Sequence, residues 1–173
     1  MKTELNNQII KNSSKLFDGT SRYPSYVECD DGWYDIIDAA LSTIQGHITN
    51  RNNQILNNIE WHAKRDIGEP IPDWRRETEL LEYPQVQQIK EKFGGLRIYL
   101  TWEDDYIYGI INMAEAMAVR TCEVCGKKGE RRGGGWIKTL CDEHHEEREG
   151  HRAKRLMKEK QIDMESAWEQ AIK

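Results

Sequence analysis

Hydrophobic residues recur at intervals of three and four in two stretches of the chain. In the first, Trp33, Ile37, Ala40, Leu41, Ile44 and Ile48 share one helix face, and the pattern runs on through Ile55 and Ile59 to about His62. In the second, Ile107, Ile110, Ile111, Ala114, Met117 and Ala118 form a continuous stripe. Each follows an acidic pair, Asp30-Asp31 or Asp104-Asp105, whose carboxylates suit the unpaired N–H groups of a first helical turn. Residues 49–53 (Thr-Asn-Arg-Asn-Asn) are poor helix formers and are expected to bend or break the first helix.

Between the two stripes the period changes to two. Residues 86–102 read as a β-hairpin about Gly94-Gly95, with Phe93 opposite Leu96. That pairing puts Ile89, Phe93, Leu96, Ile98, Leu100 and Trp102 on one face, and Lys90, Lys92, Arg97, Tyr99 and Thr101 on the other. Glu91, opposite Ile98, interrupts the apolar face. The second helix is expected to pack on that face.

The remaining body is less patterned. Residues 1–24 are polar and turn-rich, a flexible or weakly helical segment in which Leu5, Ile9 and Leu16 suggest a short helix over 5–17. Pro70, Pro72 and Pro84 exclude regular helix or central strand over 66–84. We expect a connecting loop there, with Trp74 folded back over the core and a short helical turn over 77–82. His47 and His62 lie on or beside the first helix and read as packed or solvent-facing, not catalytic. Cys29 stands alone and reads as a small buried apolar residue.

The other three cysteines form a cluster that changes the picture. Cys122-x2-Cys125-Gly126, fifteen residues, then Cys141-x2-His144 has the spacing of a Cys3His zinc site. The glycine allows a tight knuckle whose N–H groups face the sulfurs. Residues 129–135 read as a loop, 136–140 as a strand, and Cys141 falls at the start of a helix reaching about Ile172. Knuckle, hairpin and two ligands at a helix start is the treble-clef order. His145 is the alternative fourth ligand. Four protein donors leave no position for a catalytic water, so the metal is expected to be structural.

The fold class is therefore α+β: a helix–β-hairpin–helix core over 25–120, a treble-clef-like zinc finger over 121–146, and a charged C-terminal helix over 147–173. No apolar run approaches the roughly 20 residues of a membrane helix, and no signal-peptide core opens the chain, so a cytoplasmic location is expected. Net charge is −5 and uneven. Residues 1–120 carry 13 Lys+Arg against 19 Asp+Glu, whereas residues 121–173 carry 12 against 11. Lys127, Lys128, Arg131, Arg132 and Lys138 of the finger, with Arg152, Lys154, Arg155 and Lys158 of the last helix, form either a track for a phosphate backbone or a solvated face. The last helix has sparse apolar positions and either crosses the domain or projects to meet a partner or a second copy.

The hairpin from Lys90 to Arg97 (KEKFGGLR), then a helix, then Cys-x2-Cys-Gly, Gly-Trp-Ile and Leu-Cys-x2-His, resembles small uncharacterised zinc-finger proteins encoded by bacteriophages and prophages. The resemblance spans about residues 29–145. It implies a phage accessory protein in the host cytoplasm and supplies no catalytic residues. The acidic body and the tryptophans favour stoichiometric binding to a host protein, such as a defence protein that it inhibits. The basic finger and last helix offer DNA or RNA binding as the alternative. A metal-dependent nuclease, raised by the adjacent His144-His145, is a lesser one, since only His151 with Glu146, Glu147 and Glu149 is at hand for the second ligand set it needs.

Overall fold

The computed structural model describes residues 1–17, 27–65, 68, 70–133 and 136–171, of which 162–171 by backbone alone. Its elements are α1 (Thr3–Asn12), β1 (Val27–Glu28), α2 (Tyr34–Lys64), β2 (Val86–Lys92), β3 (Gly95–Leu100), α3 (Asp105–Ala118), β4 (Glu130–Arg132), β5 (Lys138–Leu140) and α4 (Asp142–Ala171). The mixed α+β class follows from the two periodicities.

Helix α2 buries Ile36, Ile37, Ala40, Leu41, Ile44, Ile48 and Ile55. It runs unbroken through the stretch expected to break it. The Thr49 hydroxyl donates back to the Gln45 carbonyl at 2.8 Å and also meets the Tyr83 hydroxyl. Asn52 exchanges two hydrogen bonds with the Leu81 backbone, its amide donating at 2.9 Å and its oxygen accepting at 2.8 Å. Tertiary partners thus outweigh intrinsic helix propensity here.

The start of α2 also differs from expectation. A single 3-10 turn, Asp31–Trp33, leads into it, and neither aspartate caps it. Asp31 instead accepts the Lys2 N–H at 2.7 Å, and Asp30 takes the Lys138 ammonium at 2.8 Å. Asp104 does cap α3, accepting from the Ile107 N–H at 2.8 Å. The N-terminal segment is more firmly packed than its composition suggests. α1 and a following 3-10 turn bury Ile9 and Leu16 in the same core as α2, the sheet and α3. Residues 18–26, which include the turn-rich Gly19–Ser21, lie outside the described residues.

The first sheet has the order β1-β2-β3, β1 parallel and β3 antiparallel to the central β2. The hairpin register is shifted from the expected one: Lys92 faces Gly95 and Glu91 faces Leu96, so the turn residues are Phe93 and Gly94. Both have positive φ, 54° and 74°, as a type I′ turn requires. A two-residue shift keeps every side chain on its own face. Ile89, Leu96 and Ile98 are therefore buried as expected, while Phe93 leaves the core and is 65% exposed.

The proline-rich segment is irregular, as expected, but Trp74 is 70% exposed and does not cover the core. A 3-10 turn sits at Asp73–Arg75, not over 77–82. Polar groups of α2 hold this segment: the buried Asn58 donates to the Glu77 carbonyl at 3.0 Å, and His62 Nε2 meets the Arg75 carbonyl at 2.7 Å. No helix among the described residues is long and apolar enough to cross a membrane.

Candidate metal centre

The chain leaves α3 and enters the cluster with almost no linker. Trp33, fully buried, donates its indole N–H to the Thr121 carbonyl at 2.8 Å. The Gly32 N–H donates to the Glu123 carbonyl at 2.7 Å. A Cβ at Gly32 would lie 2.2 Å from the Cys122 carbonyl oxygen and 2.5 Å from the Gly126 nitrogen, so only glycine admits the knuckle here. Gly126 has a φ of 75°, as the tight reversal requires.

The loop expected over 129–135 is in part a strand, Glu130–Arg132, and its residues 134–135 lie outside the described residues. β4 pairs antiparallel with β5, Glu130 opposite Leu140 and Arg132 opposite Lys138. This small hairpin grips the turn of the larger one. The buried Thr139 hydroxyl donates to the Gly94 carbonyl at 2.6 Å, and Arg131 donates to the Phe93 carbonyl at 2.5 Å. Glu91, anomalous on an apolar face, receives the Gly94 N–H at 2.6 Å and the Trp136 indole N–H at 3.1 Å. Its charge is therefore spent at the junction of the two hairpins.

The donor atoms of Cys122, Cys125, Cys141 and His144 all lie within 4.8 Å of one another. Cys125 Sγ is 3.8 Å from Cys141 Sγ, and His144 Nδ1 is 3.2 Å from Cys141 Sγ and 3.6 Å from Cys122 Sγ. Burial pushes the Cys122 thiol up, but N–H groups of Cys141, Cys125 and Val124 outweigh it and hold the thiol below its ordinary range. Desolvation and the neighbouring sulfurs of Cys122 and Cys141 push the Cys125 thiol up. Crowded sulfur donors with inward N–H groups are the environment that a bound cation neutralises, so the residues fit a metal ion. His145 has its backbone N–H on the Cys141 carbonyl, and its buried Nδ1 has no partner. It is not one of the converging group. Cys29 is buried, and desolvation raises its thiol to about 12.

The basic residues do not form one free surface. Lys138 is half-buried between Asp30 at 2.8 Å and Glu123 at 3.4 Å. Burial works against its charge, but those two carboxylates hold its pKa above the ordinary value. Burial likewise pushes the Glu123 carboxyl up, more than Lys138 draws it down. Lys127 pairs with Glu143 at 3.0 Å, Arg132 with Asp142, Arg152 with Glu149 at 3.6 Å, and Arg155 with Glu159 at 3.5 Å. Lys128, Lys154 and Lys158 are exposed. Beside the cluster, Val124, Trp136, Leu140, His144, Glu147 and His151 line an open groove of about 420 Å³. Among the described residues, Cys122, Cys125, Cys141 and His144 are the group whose side chains converge as metal ligands do.

Comparison with protein-family models, with curated proteins and with solved structures returned no match.

Proposed function

We propose that the cluster holds one structural Zn²⁺ in a treble-clef-like unit, and that the protein acts without catalysis, by stoichiometric binding to a macromolecular partner. The observation that carries the zinc reading is the spacing of the donors. A tetrahedral site with Zn–S of about 2.3 Å and Zn–N of about 2.0–2.1 Å has edges of about 3.8 Å between sulfurs and about 3.6 Å from sulfur to nitrogen. The distances of 3.8 Å and 3.6 Å agree with these, and 3.2 Å is somewhat short. With all four donors supplied by the chain, such an ion would fasten the knuckle and α4 to the body, and no coordination position would remain for substrate.

The exposed Trp74 supports the binding role. The Arg75 guanidinium stacks 4.3 Å from the Trp74 ring and 5.0 Å from Trp61. Tryptophan and arginine dominate binding hot spots, and Asn58 and His62 fix the backbone that presents these two. The phage resemblance suggests that the partner is a host protein of the cytoplasm, such as a defence protein that is inhibited. Affinity capture from host bacterial lysate, with and without nuclease treatment, tests this reading. A protein retained after nuclease treatment and lost with Trp74→Ala supports it; recovery of nucleic acid alone defeats it.

A second reading, nucleic-acid binding, is favoured by one observation: residues 151–161 are all exposed and include Arg152, Lys154, Arg155 and Lys158. Its signature is a steeply salt-dependent shift of labelled DNA or RNA. No shift at low salt would rule it out.

A further inference from the structure

Helices α2 and α3 leave an apolar groove between them that none of the described side chains fills. Its floor is the buried Ile36, Ala40 and Ala114, and Ala39, Ile110, Met113 and Met117 stand around it, enclosing about 250 Å³. Met113 is 67% exposed and Met117 50%. Small residues on a floor let another backbone approach closely, and methionine walls adapt to the side chains that enter. Such a groove takes an amphipathic helix through apolar residues spaced three and four apart.

The chain itself contains a helix of that description. Beyond Gly150, α4 presents Ala153, Leu156 and Met157, with Leu156 45% and Met157 71% exposed. Arg152 and Lys154 flank this face, Lys160 ends it one turn on, and Arg155 and Lys158 lie on the far side of the helix. The groove has Asp35 at its mouth and belongs to the part of the chain with a large acidic excess, so the charges are complementary. The lengths also agree. Residues 35–43 of α2 rise about 12 Å, and residues 153–160 of α4 about 10 Å. None of the described side chains of α4 lines the groove, and the α4 backbone continues as one unbroken helix to Ala171, so it does not double back onto its own chain.

We propose that the α2–α3 groove receives residues 153–160 of α4 from a second copy of this chain, and that the exchange is reciprocal. Two identical groove–helix contacts related by a two-fold axis close the assembly at two subunits. This inference does not depend on which partner the protein captures.

The test is the mass of the full-length protein by size-exclusion chromatography with light scattering, across a concentration series and after nuclease treatment. The expected mass is twice 20.3 kDa. Met113→Lys with Met117→Lys blocks the groove, and Leu156→Asp with Met157→Asp blocks the helix. Each pair alters exposed side chains, so circular dichroism should be unchanged while dimerisation weakens by more than about tenfold. Asp35→Lys and Lys160→Glu, the cation that ends the apolar face of α4, each weaken the dimer, and together they restore it. A monomer at every concentration overturns the proposal. So does a dimer indifferent to the Met113 and Met117 substitutions, which would mean that α4 pairs with α4. Association that disappears with nuclease also overturns it.

Discussion

The Thr139 hydroxyl donates to the Gly94 carbonyl at 2.6 Å across 45 residues of sequence, and the bond is buried. It ties the cysteine-rich unit to the turn of the KEKFGGLR hairpin. Thr139→Val keeps the shape and removes the donor, leaving the carbonyl unsatisfied. We expect a loss of about 1–3 kcal/mol in unfolding free energy, read as a lower chemical denaturation midpoint. An unchanged midpoint would mean that the two hairpins are not coupled through this bond.

Gly32 and Gly46 make a matched pair. An added Cβ at Gly32 meets backbone at 2.2 Å, whereas Gly46 has nothing within 4 Å. Gly32→Ala should displace the knuckle, speed metal loss to a chelator, and cost upward of about 3 kcal/mol. Gly46→Ala, inside α2, should stabilise by about 0.5–1 kcal/mol. Equal melting temperatures for the two variants would contradict this placement of the cluster against Gly32.

Metal analysis separates the adjacent histidines. His144→Ala should bind less than one equivalent after gel filtration, while His145→Ala keeps one. Chelation should unfold the segment after Cys122 and leave the core around Ile37, Leu41 and Ile89 helical and cooperative. Zinc retained by His144→Ala and lost by His145→Ala would reverse the assignment.

Acid sensitivity should trace in part to Asp104. Burial raises its pKa, but the Ile107 N–H and His47 outweigh burial and hold it below the ordinary carboxylate value. A depressed folded-state pKa contributes stability that is present above the unfolded value, about 3.9, and is lost as pH falls through the folded one. Asp104→Asn should therefore be less stable than the parent at neutral pH, with the difference narrowing below about pH 4. A difference that stays constant down to pH 2 would remove Asp104 from the account.

Several parts of this architecture are legible from single residues. The stripes of α2 and α3, the Asp104 cap and the Cys-x2-Cys spacing each reflect local chemistry with a fixed period. What was missed depends on distant partners. The continuity of α2 through Thr49 and Asn52 rests on Tyr83 and Leu81, about 30 residues on. Gly-Gly pointed to the wrong turn because the carboxylate of Glu91 holds the Gly94 N–H and Gly95 lies packed near Val119. The parallel strand Val27–Glu28 is too short to show a period at all. Trp74 looked like a core residue by type alone, and its neighbour Arg75 gives it a stacking partner at the surface instead.

The bond from the Gly32 N–H to the Glu123 carbonyl spans about ninety residues of sequence. Contacts of that separation form late, because the chain must first lose the entropy of the intervening loop. During synthesis the strands and helices up to Ala118 emerge before any of the four donor residues. The body can therefore be in place as a template when Cys122 appears, and capture of the proposed metal would complete the fold instead of seeding it. Refolding of the body should accordingly proceed at the same rate with and without zinc, with a separate zinc-dependent phase following it in stopped-flow fluorescence.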